Sequence, residues 1–240
     1  MVKSKRKSKA PATKAQIKEF LNVGSGTNTN IPMDFTAYQQ VTLDIDAEIK
    51  PDIVGDIRDM SGVEAAKFDG LYSSHNIEHV YPHEAQSVIN EFYRVLKPGA
   101  QALIAAPDIQ RIASVIAEGN LDEKPVYHSP AGPIFPIDIM YGHRASLVRG
   151  REYMAHKTAF TANSLGRNLL RAGFSRISIV RSGYDLWARA HRPTADEIVQ
   201  DKFAIIDAPN YNFSHRVYQN GYAAEVTGPL SKAVPEDILV

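Results

Sequence analysis

Residues 21–28 read LNVGSGTN, and twenty positions past Gly24 stands Asp44, inside VTLDID at 41–46. An apolar strand, a glycine turn and an acid ending the next strand together make a pocket for a nucleoside. Glycine lets the backbone approach a ligand with no Cβ in the way. A carboxylate at the tip of the second strand accepts both hydroxyls of a ribose. The dinucleotide fingerprint asks for a third glycine that packs helix on strand, and Thr29 occupies that position here. The glycine turn alone therefore leaves the nucleoside undecided.

Outward from this turn the apolar pattern alternates between strands and helices. Glu19–Val23 reads as the first strand and Val41–Ile45 as the second, β-branched and alternating. Between them 27–38 is polar and holds Pro32, so any helix there is short or late. Asp52–Gly55 reads as a third strand ending at Asp56, and Phe68–Ser73 as a fourth. From His79 to Leu96 the apolar residues Val88, Ile89, Phe92, Val95 and Leu96 fall at helical spacing, with Pro98-Gly99 as the stop. Ala102–Ala106 is a buried fifth strand. A helix follows from Thr161 to Ala172, capped by Gly173, and a hairpin pairs 177–181 with 184–190 across Ser182-Gly183.

This order predicts an α/β fold: a Rossmann-like, doubly wound, mostly parallel sheet with an antiparallel strand from the C-terminal hairpin. In such sheets ligands bind at the carboxyl ends of the strands. Gly24, Asp44, Asp56, Ser74 and Asp108 all fall at such ends, which strengthens the reading of a site.

Composition bounds the rest. The chain has 240 residues, 44% hydrophobic and 22% charged, enough for one sizeable core. No apolar run approaches the ~18 residues of a membrane span. No secretory leader follows the basic start, so a cytoplasmic location is expected. Cysteine is absent, which excludes disulfides, thiol nucleophiles and cysteine metal sites. Residues 1–18 carry seven of the 27 basic residues and no acid, leaving 20 basic against 27 acidic residues in the body. The expected organisation is a disordered basic arm over 1–18, a domain over 19–191, and an extension over 192–240 of uncertain structure. An acidic body does not suggest a nucleic-acid partner.

Four stretches together resemble a class I S-adenosylmethionine-dependent methyltransferase of the type 11 group: LNVGSG (21–26), TLDID (42–46), DGLYSSHNIEHV (69–80) and EFYRVLKPGAQALIAAPD (91–108). The resemblance covers Phe20 to Arg192 and implies S-adenosylmethionine as cofactor. It implies that Gly24, Ser25 and Gly26 line the methionine and ribose. Asp44 would hold the ribose hydroxyls, with Ile45 beside the adenine. Asp56 would bond the adenine amino group, and Ile57 would pack on the ring. Ser74 and His75 would stand near the cofactor's amino group and methyl. Asn22 stands where the family often has an acid, and its amide oxygen can still accept from an ammonium. Asn28 stands where a glycine is common. The fourth strand lacks the Asp/Asn-Pro-Pro-Tyr signature of some amino-group methyltransferases, which points to an oxygen acceptor on a small molecule.

His75 and His79 are the candidate bases, since an imidazole of pKa ~6.5 suits proton removal at neutral pH. His79 has a competing role in capping the helix start. His156, in AHKTAF, reads as structural. Tyr141, His143 and Trp187 are candidates for an acceptor pocket, with core packing the stronger reading of Trp187. His75–His79 also matches H-x-x-E-H, a zinc pattern of certain hydrolases. It begins at a strand-to-helix turn rather than inside a helix, and Pro82 follows, so no metal ligand is assigned. Two other readings stay open: a non-catalytic binding module acting through its arm and extension, and a nicotinamide-dependent oxidoreductase. A homodimer is compatible with the sequence.

Overall fold

A computed structural model of the chain describes residues 17–27, 31–129, 131–197 and 201–208. The basic arm assigned to 1–18 lies almost wholly outside the described residues, as do Asn28, Thr29 and the extension beyond 208. No helix among the described residues is long and apolar enough to cross a membrane.

Strand β1 (Glu19–Val23) lies between β2 (Gln39–Asp44) and β4 (Phe68–Ser74), parallel to both. The short β3 (Ile53–Val54) extends the sheet beyond β2, and β5 (Leu96–Pro107) pairs parallel with β4. Five parallel strands thus run in the order β3-β2-β1-β4-β5. Order reverses about β1, which creates the crevice where such sheets take ligands.

Helix α1 (Ala85–Val95) lies between β4 and β5 in the chain, and α2 (Ile109–Ala117) follows β5. A small hairpin, β6 (Tyr127–Ser129) with β7 (Gly132–Ile134), leads to the short helices α3 (Pro136–Tyr141) and α4 (Arg144–Val148). Helix α5 (Ala162–Ala172) opens on Thr161, whose hydroxyl accepts from the Ser164 amide, and closes on left-handed Gly173. An N-cap of that kind stabilises a helix by ~1 kcal/mol. The C-terminal hairpin, β8 (Ser175–Ser182) and β9 (Asp185–His191), joins the sheet through β9, antiparallel to β5.

Alternation along each strand sorts side chains between the faces. On β1, Leu21 and Val23 join the main core with Val88, Ile89 and Phe92 of α1 and Leu165 and Leu169 of α5. Phe20 points the other way, into a second cluster with Phe35, Tyr72, Leu103 and Trp187. Phe35 stacks on Phe20 with centroids 4.8 Å apart, over Gly70, where a Cβ would lie 2.3 Å from the Phe35 ring. Phe35 belongs to the short 3₁₀ turn at Met33–Phe35, so the segment after the glycine turn holds a late, brief helix as its Pro32 implied.

Two boundaries differ from expectation. The helix after β4 begins at Ala85 rather than near His79, because Glu84 turns its carboxylate back to the Tyr81 amide and starts the chain afresh. Ile77–His79 is instead a separate 3₁₀ turn. Pro98-Gly99 lies within β5, and the helix has already ended at Val95. There Arg192 Nη1 donates to the carbonyls of Tyr93, Arg94 and Leu96, satisfying groups a helix end leaves open. Within the stretch after 191, β10 (Phe203–Asp207) pairs parallel with β8 and forms the edge of the eight-stranded sheet.

Candidate functional site

At the carboxyl ends of β1, β2, β3 and β4 a cavity of about 380 Å³ opens. Its floor is the glycine turn. Gly24 and Gly26 both have positive φ, +61° and +56°, which other residues adopt at a cost of ~1–2 kcal/mol. The amides of Gly24 and Ser25 donate to Leu43 O at 2.8 and 3.2 Å, tying the turn to β2. Asp44 completes it: its two carboxylate oxygens accept from the amides of Gly26 (2.7 Å) and Asp46 (2.9 Å). One N–H on each oxygen leaves further lone pairs free for ligand hydroxyls.

The structure brings Gly24, Gly26, Asp44, Ile45, Asp56, Ile57, His75 and His79 together on the cavity wall. It leaves three expected residues off that wall. Asn22 is buried on the opposite face of β1, with its amide toward Gln40 at 3.4 Å. Ser25 is buried, and its hydroxyl donates to Gly26 O. Ser74 ends β4 without lining the cavity. Asp56 lines it, yet both its carboxylate oxygens accept from Arg58, which holds its pKa below the usual range.

Residues 75–80 shape the far wall. His75 takes a left-handed backbone, φ +53°, at the turn out of β4, and its amide donates to Ala105 O. A non-glycine residue held there marks a locally strained turn. Burial disfavours its cation, but Asp185 and Glu78 outweigh that and raise its pKa. Its Nδ1 lies 3.5 Å from Glu78 Oε1 and its Nε2 3.7 Å from Asp185 Oδ1. Pro82 has no amide to donate back to Glu78 O. That carbonyl instead accepts from Lys157 (2.8 Å) and Thr158 (3.1 Å), which staples the segment before α5 over the turn. His156 thereby stands against His79, ring centroids 4.8 Å apart.

Residues 21–104 match a family model described as a methyltransferase domain. The match spans β1 through most of β5, the part of the sheet that builds the glycine turn, the Asp44 clamp and the His75 turn. The chain thus carries a methyltransferase domain, and S-adenosylmethionine is the cofactor of that activity.

Among solved structures, the methyltransferase is similar to a Pyrococcus horikoshii protein at 14% identity, covering 74% of this chain and 82% of that one, with a TM-score of 0.48. It is also similar to a SAM-dependent methyltransferase from Archaeoglobus fulgidus at 14% identity, covering 73% and 86%, with a TM-score of 0.46. A third is the Burkholderia thailandensis 1,6-didemethyltoxoflavin-N1-methyltransferase with bound S-adenosylhomocysteine: 14% identity, 74% and 72% covered, TM-score 0.42. No curated protein matches the methyltransferase.

The cavity fits the cofactor of this class. An added Cβ at Gly26 would meet nothing within 4 Å, so the bare backbone faces open space. Asp44 has unused acceptor capacity beside it, and Ile45 and Ile57 offer apolar surface for a base.

The roof of the methyltransferase site comes from residues the sequence reading passed over. Arg151, Tyr153, Met154 and Lys157 line the cavity from the 3₁₀ turn at Glu152–Met154 and the residues flanking it. Tyr153 donates its hydroxyl to Asp46 Oδ2 at 3.1 Å, and burial followed by that acid raises its pKa. The residues expected in an acceptor pocket lie elsewhere. Tyr141 is exposed, His143 pairs with Ser146, and Trp187 is buried in the second cluster. Only a stretch of mixed polarity marks 144–160 in the sequence, and no pattern there says which residues fold back. Asn76 was missed too, although it sits inside SHNIEH: it bonds both Ser73 and Val23 O beneath the glycine turn.

Proposed function

We propose that the methyltransferase acts on a small-molecule acceptor and methylates an oxygen. What supports the reading is that His75 and His79 share one wall with the glycine turn and Asp44, while Arg151 and Lys157 enter from the roof. Cations near the reacting end favour an acceptor that becomes an oxyanion over one that must carry positive charge. S-adenosylmethionine, when bound, supplies a methyl group on a cationic sulfonium. Gly24, Gly26 and Asp44 would hold its methionine and ribose, with Ile45, Asp56 and Ile57 around its base. The protein's own share of the chemistry is then mostly positioning, which accounts for ~7–11 kcal/mol of a barrier when reactants are held in line. A hydroxyl acceptor must also lose its proton. His79 can take it: its Nδ1 faces the Ala155 carbonyl at 3.1 Å, so Nδ1 carries the ring proton and Nε2 the lone pair.

The test is calorimetry with S-adenosylmethionine and S-adenosylhomocysteine, followed by product release across phenols, hydroxy acids and amines. Asp44→Ala is expected to weaken both ligands at least tenfold, since hydrogen bonds to a charged group contribute ~1.5–3 kcal/mol each. Unchanged affinity would remove Asp44 from the pocket. Turnover confined to amines would refute the oxygen acceptor.

A further inference from the structure

Glu78, His79 and His156 place one carboxylate oxygen and two imidazole nitrogens within 4.8 Å of one another. Each histidine has its Nδ1 engaged by a backbone carbonyl: His79 by Ala155 O at 3.1 Å, His156 by Ile139 O at 2.6 Å. A carbonyl only accepts, so both rings carry their proton on Nδ1 and present a bare Nε2. Metal-bound histidines are oriented in this way, with the second N–H fixed by a carbonyl or carboxylate. Glu78 is 1% exposed, and neither of its carboxylate oxygens accepts a hydrogen bond among the described residues. Its close ionic neighbours are His75 Nδ1 at 3.5 Å and His156 Nε2 at 3.9 Å, both too long for good hydrogen bonds. His75 is shared between Glu78 and Asp185 and holds neither at hydrogen-bond distance, so the buried Glu78 carboxylate keeps acceptor capacity for a second cation.

We propose that Glu78, His79 and His156 bind a divalent transition-metal ion, zinc above all, at the wall of the cofactor cavity. Two imidazoles and one carboxylate form a three-ligand set that leaves a fourth position open on zinc. Mixed nitrogen and oxygen donors select against magnesium and calcium, which take oxygen. Tetrahedral ligand atoms at bonds of ~2.0–2.1 Å stand about 3.4 Å apart, so side-chain rotations of roughly an ångström close the site. The backbone is already fixed for this, because Lys157 and Thr158 clamp their amides on Glu78 O beside His156.

His79 is the one of the three that also lines the cavity, so the ion lies at its edge. Resting on the hydroxyl-acceptor reading, the open position is where an acceptor oxygen would bind and, its pKa lowered by the ion, release its proton to solvent water. With the ion bound, His79 Nε2 is a ligand, and its role as base belongs to the metal-free protein.

The experiment uses the full chain stripped with a chelator and titrated with zinc in a calorimeter, with magnesium as the control. Cobalt(II) loading, followed by its visible absorption, reports coordination independently of turnover. One zinc per chain, no magnesium binding, and cobalt bands of a tetrahedral site are expected. His156→Gln and Glu78→Gln are expected to weaken zinc at least a hundredfold. Far-UV circular dichroism of each metal-free variant against the metal-free wild type serves as the fold control. If a variant does not fold, the wild-type cobalt spectrum and its loss to chelator decide alone. Absence of stoichiometric zinc binding, or equal binding in the variants, overturns the site. Cofactor affinity measured on the same stripped protein separates the two readings. Cofactor binding without zinc sinks the metal and leaves the methyltransferase, and zinc binding without transfer to hydroxyl compounds sinks the acceptor.

Discussion

The side-chain amide of Asn76 lies so close to Gly24 that a Cβ added there would fall 2.5 Å from its nitrogen. Asn76 cannot withdraw, because that nitrogen donates to Val23 O while its Oδ1 accepts from Ser73 at 2.6 Å. The turn after β1 and the turn after β4 are thus interlocked at one residue without a side chain.

Gly24→Ala is therefore expected to lose more than Gly26→Ala. Both incur the left-handed backbone cost of ~1–2 kcal/mol. Only Gly24→Ala also overpacks against Asn76, for another ~1–3 kcal/mol. Urea denaturation should place Gly24→Ala below Gly26→Ala by at least about 1 kcal/mol, and calorimetry should show S-adenosylmethionine bound at least tenfold more weakly than in the wild type. Equal stability of the two variants would mean that the Asn76 contact is not limiting.

The interlock also shows how far the sequence could be read. LNVGSG and VTLDID specify strand, turn and acid within a few positions, and local chemistry of that kind survives folding: Gly24, Gly26 and Asp44 line one cavity at the strand ends. Strand residues with a two-residue period were legible for the same reason. Asn22 was not, because its partner comes from the neighbouring strand: it stands beside Thr42 of β2, and its amide reaches diagonally to Gln40. His156 and Tyr153 are brought to the site by contacts seventy or more residues distant in the chain, Glu78 O with Lys157 and Asp46 with Tyr153. No local propensity encodes such closures. Pro82 reads as tolerable in a first helical turn, yet the helix expected across it from His79 starts only beyond it, at Ala85. Its further effect, a freed Glu78 carbonyl available to the 157–158 amides, needs the fold to be visible.

At the other edge of the sheet, Gly166 of α5 makes room for Phe203 of β10. A Cβ at Gly166 would lie 2.5 Å from the Phe203 ring. Gly166→Ala should gain ~0.8–1.0 kcal/mol of helix propensity and lose more through displaced packing. Hydrogen exchange should show 203–207 deprotected in Gly166→Ala while β1 and β4 stay protected. Adding Phe203→Ala should relieve the clash, so that the double variant is more stable than the sum of the single changes predicts. A Gly166→Ala variant as protected at 203–207 as the wild type would show that the ring yields freely.

Acid stability should depend on His191, at the end of β9. Burial first, then Arg176 and Arg189, lower its pKa to about 4, against the smaller opposing pull of Glu197 and Asp34. Arg189 is itself paired with Asp34 at 2.6 Å and Arg176 with Glu197 at 3.1 Å, so neither acid is free to stabilise an imidazolium. In the unfolded chain the same imidazole titrates near ~6.5. Between those two values the unfolded state binds the proton and the folded state does not. The folded state is therefore favoured in full above about pH 6.5, and the advantage falls away as pH drops toward 4, for a total of roughly 1–2 kcal/mol once solvent screening of this half-buried ring is allowed for. His191→Gln keeps a polar side chain of similar reach and removes the titration. Its thermal midpoint should fall less than that of the wild type between pH 7 and pH 5, with little difference in slope between pH 7 and pH 8. Parallel curves for the two proteins across the acid range would assign the acid sensitivity to other groups.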